Sequence, residues 1–150
     1  MVQRGGKGVQ MKRENKIYLE EIKDMLIKKG ISPSFQRIKI YEYLMKNRVH
    51  PSAERVFLDL VGEIQTLSRT TVYNTLNLLS DKGMIKKLFI DGSFVRFDID
   101  TSNHIHFKCT KCDRIYDIYI ESPKIMAGGH KVQSKDIYLY GICKKCKEEK

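Results

Sequence analysis

The sequence lacks an uninterrupted apolar run of the roughly 20 residues needed to cross a bilayer. Its N-terminus also lacks the apolar segment of a secretory signal, so we expect a cytoplasmic protein with no membrane partner. There is no P-loop, no glycine-rich dinucleotide fingerprint and nothing that resembles a hydrolytic triad. These absences argue against an enzyme, and we expect no catalytic turnover.

Cysteine is absent from the first two thirds of the chain. All four cysteines form two C-x-x-C pairs, Cys109–Cys112 and Cys143–Cys146. In a chain without a secretion signal, this pattern is more typical of a metal site than of disulfides. A redox dithiol or unpaired cysteines are the alternatives, but two thioredoxin-like motifs would be redundant. We predict one structural Zn²⁺ held by four thiolates, which would stabilise a sheet too small to bury much core.

Acidic side chains are outnumbered. The chain has 28 Lys and Arg against 18 Asp and Glu, a net charge of +10, and the larger part of the excess lies in the first half. An excess of positive charge favours a polyanionic partner such as nucleic acid, although it also improves solubility.

Apolar residues at helical spacing predict four helices in the first half, over about residues 15–29, 34–46, 52–61 and 68–81. We expect Met25 and Phe35 to face the core, and Ser34, Ser52 and Ser68 to be N-caps. Two strands are predicted next, over residues 84–90 and 94–99, joined by the turn signal Asp91-Gly92-Ser93.

These elements predict an α+β protein with an N-terminal winged helix-turn-helix domain and a small zinc-stapled second domain. We assign a flexible basic leader to residues 1–14, the winged helix to 15–99, a hinge to 100–103 and the metal-binding domain to 104–150. The helix over 68–81 would enter the major groove of DNA. Its candidate DNA contacts are Ser68, Arg69, Thr70, Thr71, Tyr73 and Asn74. The alternative is a helical domain with a solvated polar face.

Nitrogen and oxygen donors are interleaved with the first cysteine pair. Residues i and i+2 of a strand share a face, so His104 and His106 should project together. Asp98 precedes the hinge, and Asp117 lies on the next strand, where it can pair back towards the histidines. A lone histidine is usually an ordinary polar residue, but this set suits Fe²⁺ or Mn²⁺, whereas structural zinc prefers thiolates.

The sequence resembles the ferric uptake regulator family over about residues 15–147. The matching segments are His50-Pro51-Ser52-Ala53-Glu54, Ser68-Arg69-Thr70-Thr71-Val72-Tyr73-Asn74-Thr75-Leu76, Arg96-Phe97-Asp98, His104-Ile105-His106-Phe107-Lys108-Cys109-Thr110-Lys111-Cys112 and Tyr140-Gly141-Ile142-Cys143-Lys144-Lys145-Cys146. The resemblance implies a homodimeric, metal-dependent transcriptional repressor that binds a palindromic operator in double-stranded DNA. It also implies that the second domain is an α/β dimerisation domain.

Within the family, the chain looks most like the peroxide-responsive repressor branch. The regulatory site of that branch falls on His50, Asp98, His104, His106 and Asp117. Both carboxylates are Asp here, where iron-sensing members typically carry Glu. The resemblance implies one structural Zn²⁺ and one regulatory Fe²⁺ or Mn²⁺ per chain, with iron-catalysed oxidation of His50 or His104 by peroxide. The alternatives are an iron-responsive or other metal-responsive repressor without peroxide sensing, and an unregulated zinc-ribbon nucleic-acid module.

Two departures from the family pattern affect the second domain. The segment 121–131 is shorter than the usual dimerisation helix, which implies a dimer contact dominated by the sheet. Lys135 stands where many members have a further histidine ligand, and His130 is expected to be a surface residue.

Overall fold

A computed structural model describes residues 6–121 and 127–149 of the chain. Its elements are α1 (Gly6–Lys28), α2 (Phe35–Lys46), α3 (Ala53–Leu60), α4 (Arg69–Asp81), β1 (Lys86–Asp91), β2 (Phe94–Asp98), β3 (Ile105–Cys109), β4 (Ile115–Ile118), β5 (Tyr138–Gly141) and α5 (Lys144–Glu148). The predicted α+β class and the order of helices followed by a hairpin are confirmed. We call residues 6–99 the winged-helix half and residues 104–149 the sheet half.

Helix α1 begins at Gly6 rather than at residue 15. Residues 6–14, which were predicted to belong to a flexible leader, are therefore helical. The run Gln10-Met11-Lys12-Arg13-Glu14 contains good helix formers and no breaker, which explains the extension. Residues 1–5 of the predicted leader and 122–126 of the short segment lie outside the described residues.

All three predicted N-caps are confirmed. The Oγ atoms of Ser34, Ser52 and Ser68 accept hydrogen bonds from backbone N–H groups three residues later, at 3.1–3.2 Å. Each cap satisfies an otherwise free amide at the start of its helix. The starts of α2, α3 and α4 are thus determined locally.

The core of the winged-helix half is built mainly where α4 meets the other helices. Val72, Leu76 and Leu79 on α4 are fully buried, as their spacing predicts. The inward placement of Met25 and Phe35 was wrong, because these side chains are 39% and 64% exposed. Met25 lies on α1 and Phe35 on α2. Each of these helices carries apolar residues on more than one side, so the side that is buried depends on the neighbouring elements.

The hairpin β1–β2 leads directly to a ligand residue. Its strands pair antiparallel, and the pair Asp91–Phe94 encloses the predicted turn at Gly92 and Ser93. Gly92 has φ +70°, a left-handed conformation that favours glycine. Strand β2 then ends at Asp98, beside the sheet half.

The sheet half has the strand order β4-β3-β5, with β4 antiparallel and β5 parallel to β3. The register pairs His106 with Asp117, which confirms that the carboxylate strand returns to the histidines. The buried cluster of this half contains Cys109, Cys143 and Cys146, with Phe107 and Tyr116 packed against it. The short helix α5 was not predicted. So small a core must depend on the cysteines.

The two halves also touch through β1. Lys108 on β3 forms a salt bridge with Asp91, and the Tyr140 hydroxyl donates to the Ile90 carbonyl at 2.8 Å. Lys86 pairs with Asp136 at 2.6 Å. No helix among the described residues has the length and apolar character of a membrane span.

Leu76→Ala should lower the free energy of unfolding by about 2–5 kcal/mol, because it leaves a cavity in the core beside α4. The matched control is Leu58→Ala, since Leu58 is 55% exposed and its replacement should cost about 0.5 kcal/mol or less. Urea unfolding followed by circular dichroism measures both. Equal losses in the two variants would contradict the described packing.

Candidate metal centres and DNA-facing helix

The four cysteines meet at the end of the sheet. Cys109 ends β3, Cys112 lies in the following turn, and Cys143 and Cys146 lie at the N-cap and within α5. The turn is tight: Asp113 adopts φ +60°, and its amide donates to the Cys109 carbonyl at 3.0 Å. Each C-x-x-C pair therefore presents its two thiols from one compact turn.

The geometry of this cluster suits zinc. One sulfur atom from each cysteine lies within 4.8 Å of all the others, and the Sγ atoms of Cys112 and Cys143 are 3.8 Å apart. A disulfide would require about 2.0 Å. Tetrahedral Zn²⁺ with Zn–S bonds of about 2.3 Å places neighbouring sulfurs about 3.8 Å apart. The predicted cysteine set is thus brought together at the spacing of a tetrathiolate zinc site.

The thiols differ in acidity. Burial raises the pKa of Cys109, but amide hydrogen bonds from Cys143, Cys112 and Lys111 outweigh this and lower it to about 6. Burial, followed by hydrogen bonds with neighbouring cysteines, raises the pKa of Cys146 to about 12. Four adjacent thiolates repel one another, so full ionisation of the cluster requires a cation among them.

The second cluster is formed by all five predicted nitrogen and oxygen donors. One ligand atom from each lies within 4.8 Å of the others, and the residues are His50, Asp98, His104, His106 and Asp117. Two of them come from the winged-helix half and three from the sheet half. Any ion held by the whole set therefore contacts both halves.

The imidazole and carboxylate groups face one another at ligand spacing. The Nε2 atoms of the three histidines lie 2.9–3.6 Å from Asp98 Oδ2 and 2.8–3.5 Å from Asp117 Oδ1. Adjacent ligands at right angles, each about 2.1 Å from a metal ion, are about 3.0 Å apart. The spacing therefore fits a single divalent ion.

The tautomer of His104 gives an independent indication of a central cation. Its Nδ1 donates a hydrogen bond to the Ser102 carbonyl at 2.9 Å, so Nδ1 carries a proton. In the neutral ring Nε2 then carries a lone pair, which points at carboxylate oxygens of Asp98 and Asp117 at 3.0 and 3.2 Å. These acceptors repel unless a second proton or a metal ion lies between them. A hydrogen bond at the remote nitrogen is also the usual support of a metal-bound histidine.

His50 is held in a strained conformation. Its φ is +54°, which costs a residue other than glycine about 1–2 kcal/mol. Arg96 donates to the His50 carbonyl at 3.3 Å, and the Phe97 amide donates to the Pro51 carbonyl at 3.0 Å. Strand β2 thus fixes the backbone that aims this imidazole. The buried Nδ1 of His50 has no hydrogen-bond partner among the described residues.

The charges of the cluster favour cation binding. Burial opposes ionisation of Asp98, but hydrogen bonds from His106 and His50 outweigh it and hold its pKa well below the usual range. Burial lowers the pKa of His50, but Asp98 and Asp117 together raise it above the ordinary value. Asp98 Oδ1 accepts the Asp100 amide at 2.9 Å, which leaves Oδ2 for the imidazoles.

Tyr119 was missed by the sequence reasoning. Its ring lies 4.9 Å from that of His104, and its hydroxyl donates to Asp100 at 2.7 Å. That hydrogen bond raises the pKa of Tyr119 above its ordinary value. Strand alternation was the available signal, because Tyr119 is two residues beyond Asp117.

The predicted DNA contacts lie at the N-cap and along the first two turns of α4. Some of their side chains already form hydrogen bonds or ion pairs within the protein, and others do not. Ser68 caps the helix, and its hydroxyl also bonds Thr71 at 2.9 Å. Arg69 pairs with Glu54 through two nitrogens at 2.9–3.0 Å and stacks on Phe57. The exposed side chains with no such partner are Thr70, Tyr73 and Asn74. Within residues 6–121 and 127–149, these three side chains have no intramolecular hydrogen bond or ion pair to break before they contact DNA.

Cys143→Ser should abolish stoichiometric zinc retention, because a serine hydroxyl is a poor replacement for a thiolate ligand. Zinc per chain is measured by elemental analysis after dialysis against a weak chelator. Lys111→Ala is the control, since Lys111 is an exposed residue between the other two zinc ligands, Cys109 and Cys112. Full zinc retention by Cys143→Ser would contradict the four-thiolate assignment.

Comparison with known proteins identifies the family of this chain. The model of the Ferric uptake regulator family matches residues 28–140. A peroxide-responsive repressor PerR of Staphylococcus epidermidis is 35% identical over 137 residues, covering 87% of this chain and 91% of its own. The peroxide operon regulator of Bacillus subtilis is 31% identical, with 87% and 94% covered.

A solved structure gives the same result for the fold. The ferric uptake regulator of Francisella tularensis, determined with iron, superimposes with a TM-score of 0.67 at 28% identity. The match covers 79% of this chain and 96% of that one. The fold, the motifs and the extent of these matches establish that the chain belongs to the ferric uptake regulator family.

Proposed function

We propose that this protein is a homodimeric, metal-dependent DNA-binding repressor that senses peroxide. One observation carries the proposal: His50 Nε2 of the winged-helix half lies 2.8 Å from Asp117 Oδ1 of the sheet half. A ligand set shared between a DNA-binding unit and a second unit allows an ion to control their relative orientation. The relatives named as a peroxide-responsive repressor and as a peroxide operon regulator support the same function.

Each centre has a distinct role in the proposal. Cys109, Cys112, Cys143 and Cys146 hold Zn²⁺ and stabilise the sheet half. The five-residue centre holds the regulatory Fe²⁺ or Mn²⁺, whose preference for nitrogen and oxygen ligands matches the donors present. Because regulatory metal binds best when both halves are correctly placed, its binding free energy shifts the population towards that arrangement.

The arrangement matters because of DNA geometry. In a dimer, the relative orientation of the two halves sets the distance between two recognition helices, and this distance must match the half-sites of a palindromic operator. Ser68, Arg69, Thr70, Thr71, Tyr73 and Asn74 of α4 and its cap are the proposed contacts. An apolar groove on the sheet half, lined in part by Phe107, Tyr116, Ile118 and Ile142, offers a surface for the second copy.

Peroxide sensing would use the ligands themselves. Ferrous iron, when bound, supplies the electrons that cleave the O–O bond of hydrogen peroxide beside the imidazoles. His50 and His104 are the proposed targets, and addition of an oxygen atom to either ring weakens its ligation. Loss of one ligand from either half uncouples the two halves, which would release DNA.

His50→Ala should weaken Mn²⁺ binding by at least about 100-fold and abolish metal-dependent DNA binding, because His50 is the only histidine ligand on the winged-helix half. Zinc content should be unchanged. The control is His130→Ala, since His130 is exposed and outside the cluster. Fluorescence anisotropy with DNA selected from a random pool by the Mn²⁺-loaded protein measures the effect. Normal metal-dependent affinity in His50→Ala would refute the coupling.

Asp91→Asn should weaken Mn²⁺ binding by about tenfold, because loss of its salt bridge to Lys108 lowers the population in which the two halves are correctly placed. Glu42→Gln is the control. Glu42 is as buried as Asp91 and also has two cationic partners, but both lie on its own helix, at 2.6 Å. Calorimetric titration that gives equal metal affinity for the two variants would argue against a role of the β1 contact.

Peroxide sensing itself is tested by peptide mass spectrometry. Protein loaded with Fe²⁺ under anaerobic conditions and given a brief peroxide pulse should gain one oxygen atom on the peptide containing His50 or His104. The same pulse should leave Mn²⁺-loaded protein unmodified. Unmodified histidines with iron confirmed in place would instead indicate a metal-responsive repressor that does not sense peroxide.

A further inference from the structure

Tyr119 lies against the regulatory centre without being one of its ligands. Its ring is 4.9 Å from the His104 ring, centroid to centroid, with 31° between the two planes. The phenol hydroxyl points to Asp100 Oδ2 at 2.7 Å rather than to the ligand atoms, which fixes the ring over the imidazole. His104 is buried, whereas Tyr119 is 61% exposed. The tyrosine therefore combines contact with a ligand and access to solvent.

A phenol ring is electron-rich and is readily attacked by the oxidants that peroxide forms with ferrous iron. Oxidants of this kind react within a short distance of where they form. The aromatic rings nearest to the ligand histidines should therefore react with them first. In the described part of the chain, two tyrosines pack against ligand histidines. Tyr119 is 4.9 Å from His104, and Tyr138 is 6.2 Å from His106. Tyr119 is the closer of the two.

We infer that Tyr119 is a further oxidation site of this protein, hydroxylated on its ring when peroxide reacts at the regulatory centre. This inference rests on the proposed function, since it requires peroxide and bound ferrous iron. In the net reaction a ring C–H becomes C–OH. One oxygen atom of hydrogen peroxide enters the new hydroxyl and the other leaves as water. The ring loses two electrons and peroxide gains two, so iron ends in its starting oxidation state.

The position of Tyr119 makes it a competitor of His104. Each oxidant molecule consumed by the phenol ring leaves one fewer to modify the imidazole beneath it. The tyrosine thus decreases the fraction of peroxide encounters that destroy the metal site. Removing the phenol ring should shift oxidation towards His104, while the five ligands remain in place.

Two other tyrosines serve as internal controls for exposure. Tyr140 is 55% exposed and, like Tyr119, donates its hydroxyl to an oxygen acceptor, while Tyr73 is 56% exposed. Neither packs against a ligand histidine among the contacts described. Oxidation by peroxide and iron free in solution would modify all three, whereas oxidation at the centre would favour Tyr119.

The experiment is quantitative peptide mass spectrometry of the full-length, zinc-containing protein, without DNA, loaded with Fe²⁺ or Mn²⁺ and pulsed with peroxide. We expect one oxygen atom on Tyr119 with iron only, at a yield at least about tenfold above Tyr140 and Tyr73, because of proximity. In Tyr119→Leu, with zinc and Mn²⁺ binding checked, the yield on His104 should rise about twofold or more.

The outcomes distinguish the inference about Tyr119 from the proposed peroxide-sensing function. Oxygen on His50 or His104 with Tyr119 unmodified would overturn this inference and leave the proposed function standing. Equal yields at Tyr119, Tyr140 and Tyr73 would also overturn it, because the oxidant would then come from bulk solution. No oxygen on any of these residues, with iron confirmed in place, would refute both this inference and the peroxide-sensing part of the proposed function.

Discussion

The buried carboxylate of Asp98, the half-buried carboxylate of Asp117 and three imidazoles converge at nitrogen–oxygen distances of 2.8–3.6 Å. Such a cluster requires positive charge at its centre. His104 shows why positive charge is needed, because the lone pair on its Nε2 faces carboxylate oxygens. A proton can add positive charge to a single imidazole ring. A divalent ion at the centre places its charge next to all five groups together. Since the groups come from both halves of the chain, an ion bound to all five contacts both halves, and this is the basis of the proposed control of their placement.

The remaining structure prepares the ligands on each side of that junction. In the sheet half, the cysteine cluster stands in for a large core and so supports the strands that carry His106 and Asp117. In the winged-helix half, strand β2 carries Asp98 and also holds His50 in its strained conformation. The salt bridge between Asp91 and Lys108 joins the halves without metal. In the proposed function the cysteine site serves folding, and the five-residue site serves regulation.

Much of this arrangement could be predicted because it depends on local chemistry. Serine caps, the hairpin turn and the return of Asp117 to the histidines follow from short-range rules. The four cysteines and the His104–His106 pair follow from residue type and spacing, whereas His50 was predicted only from the family resemblance. What could not be predicted depends on contacts distant in sequence. The exposure of Phe35, the pairing of Asp91 with Lys108 and the stacking of Tyr119 on His104 are each decided by packing between elements. The left-handed backbone of His50 has no sequence signal of its own.

The central claim is that metal binding and DNA binding are linked by a coupling free energy, so that each increases the affinity of the other. The most direct measurement is the Mn²⁺ affinity of the regulatory centre with and without saturating selected DNA, together with the DNA affinity with and without Mn²⁺. Thermodynamic linkage requires DNA to raise the metal affinity by the same factor by which metal raises the DNA affinity, typically about 5–150-fold. Equal factors in this range are the predicted result. A Mn²⁺ affinity that DNA does not change would contradict the account.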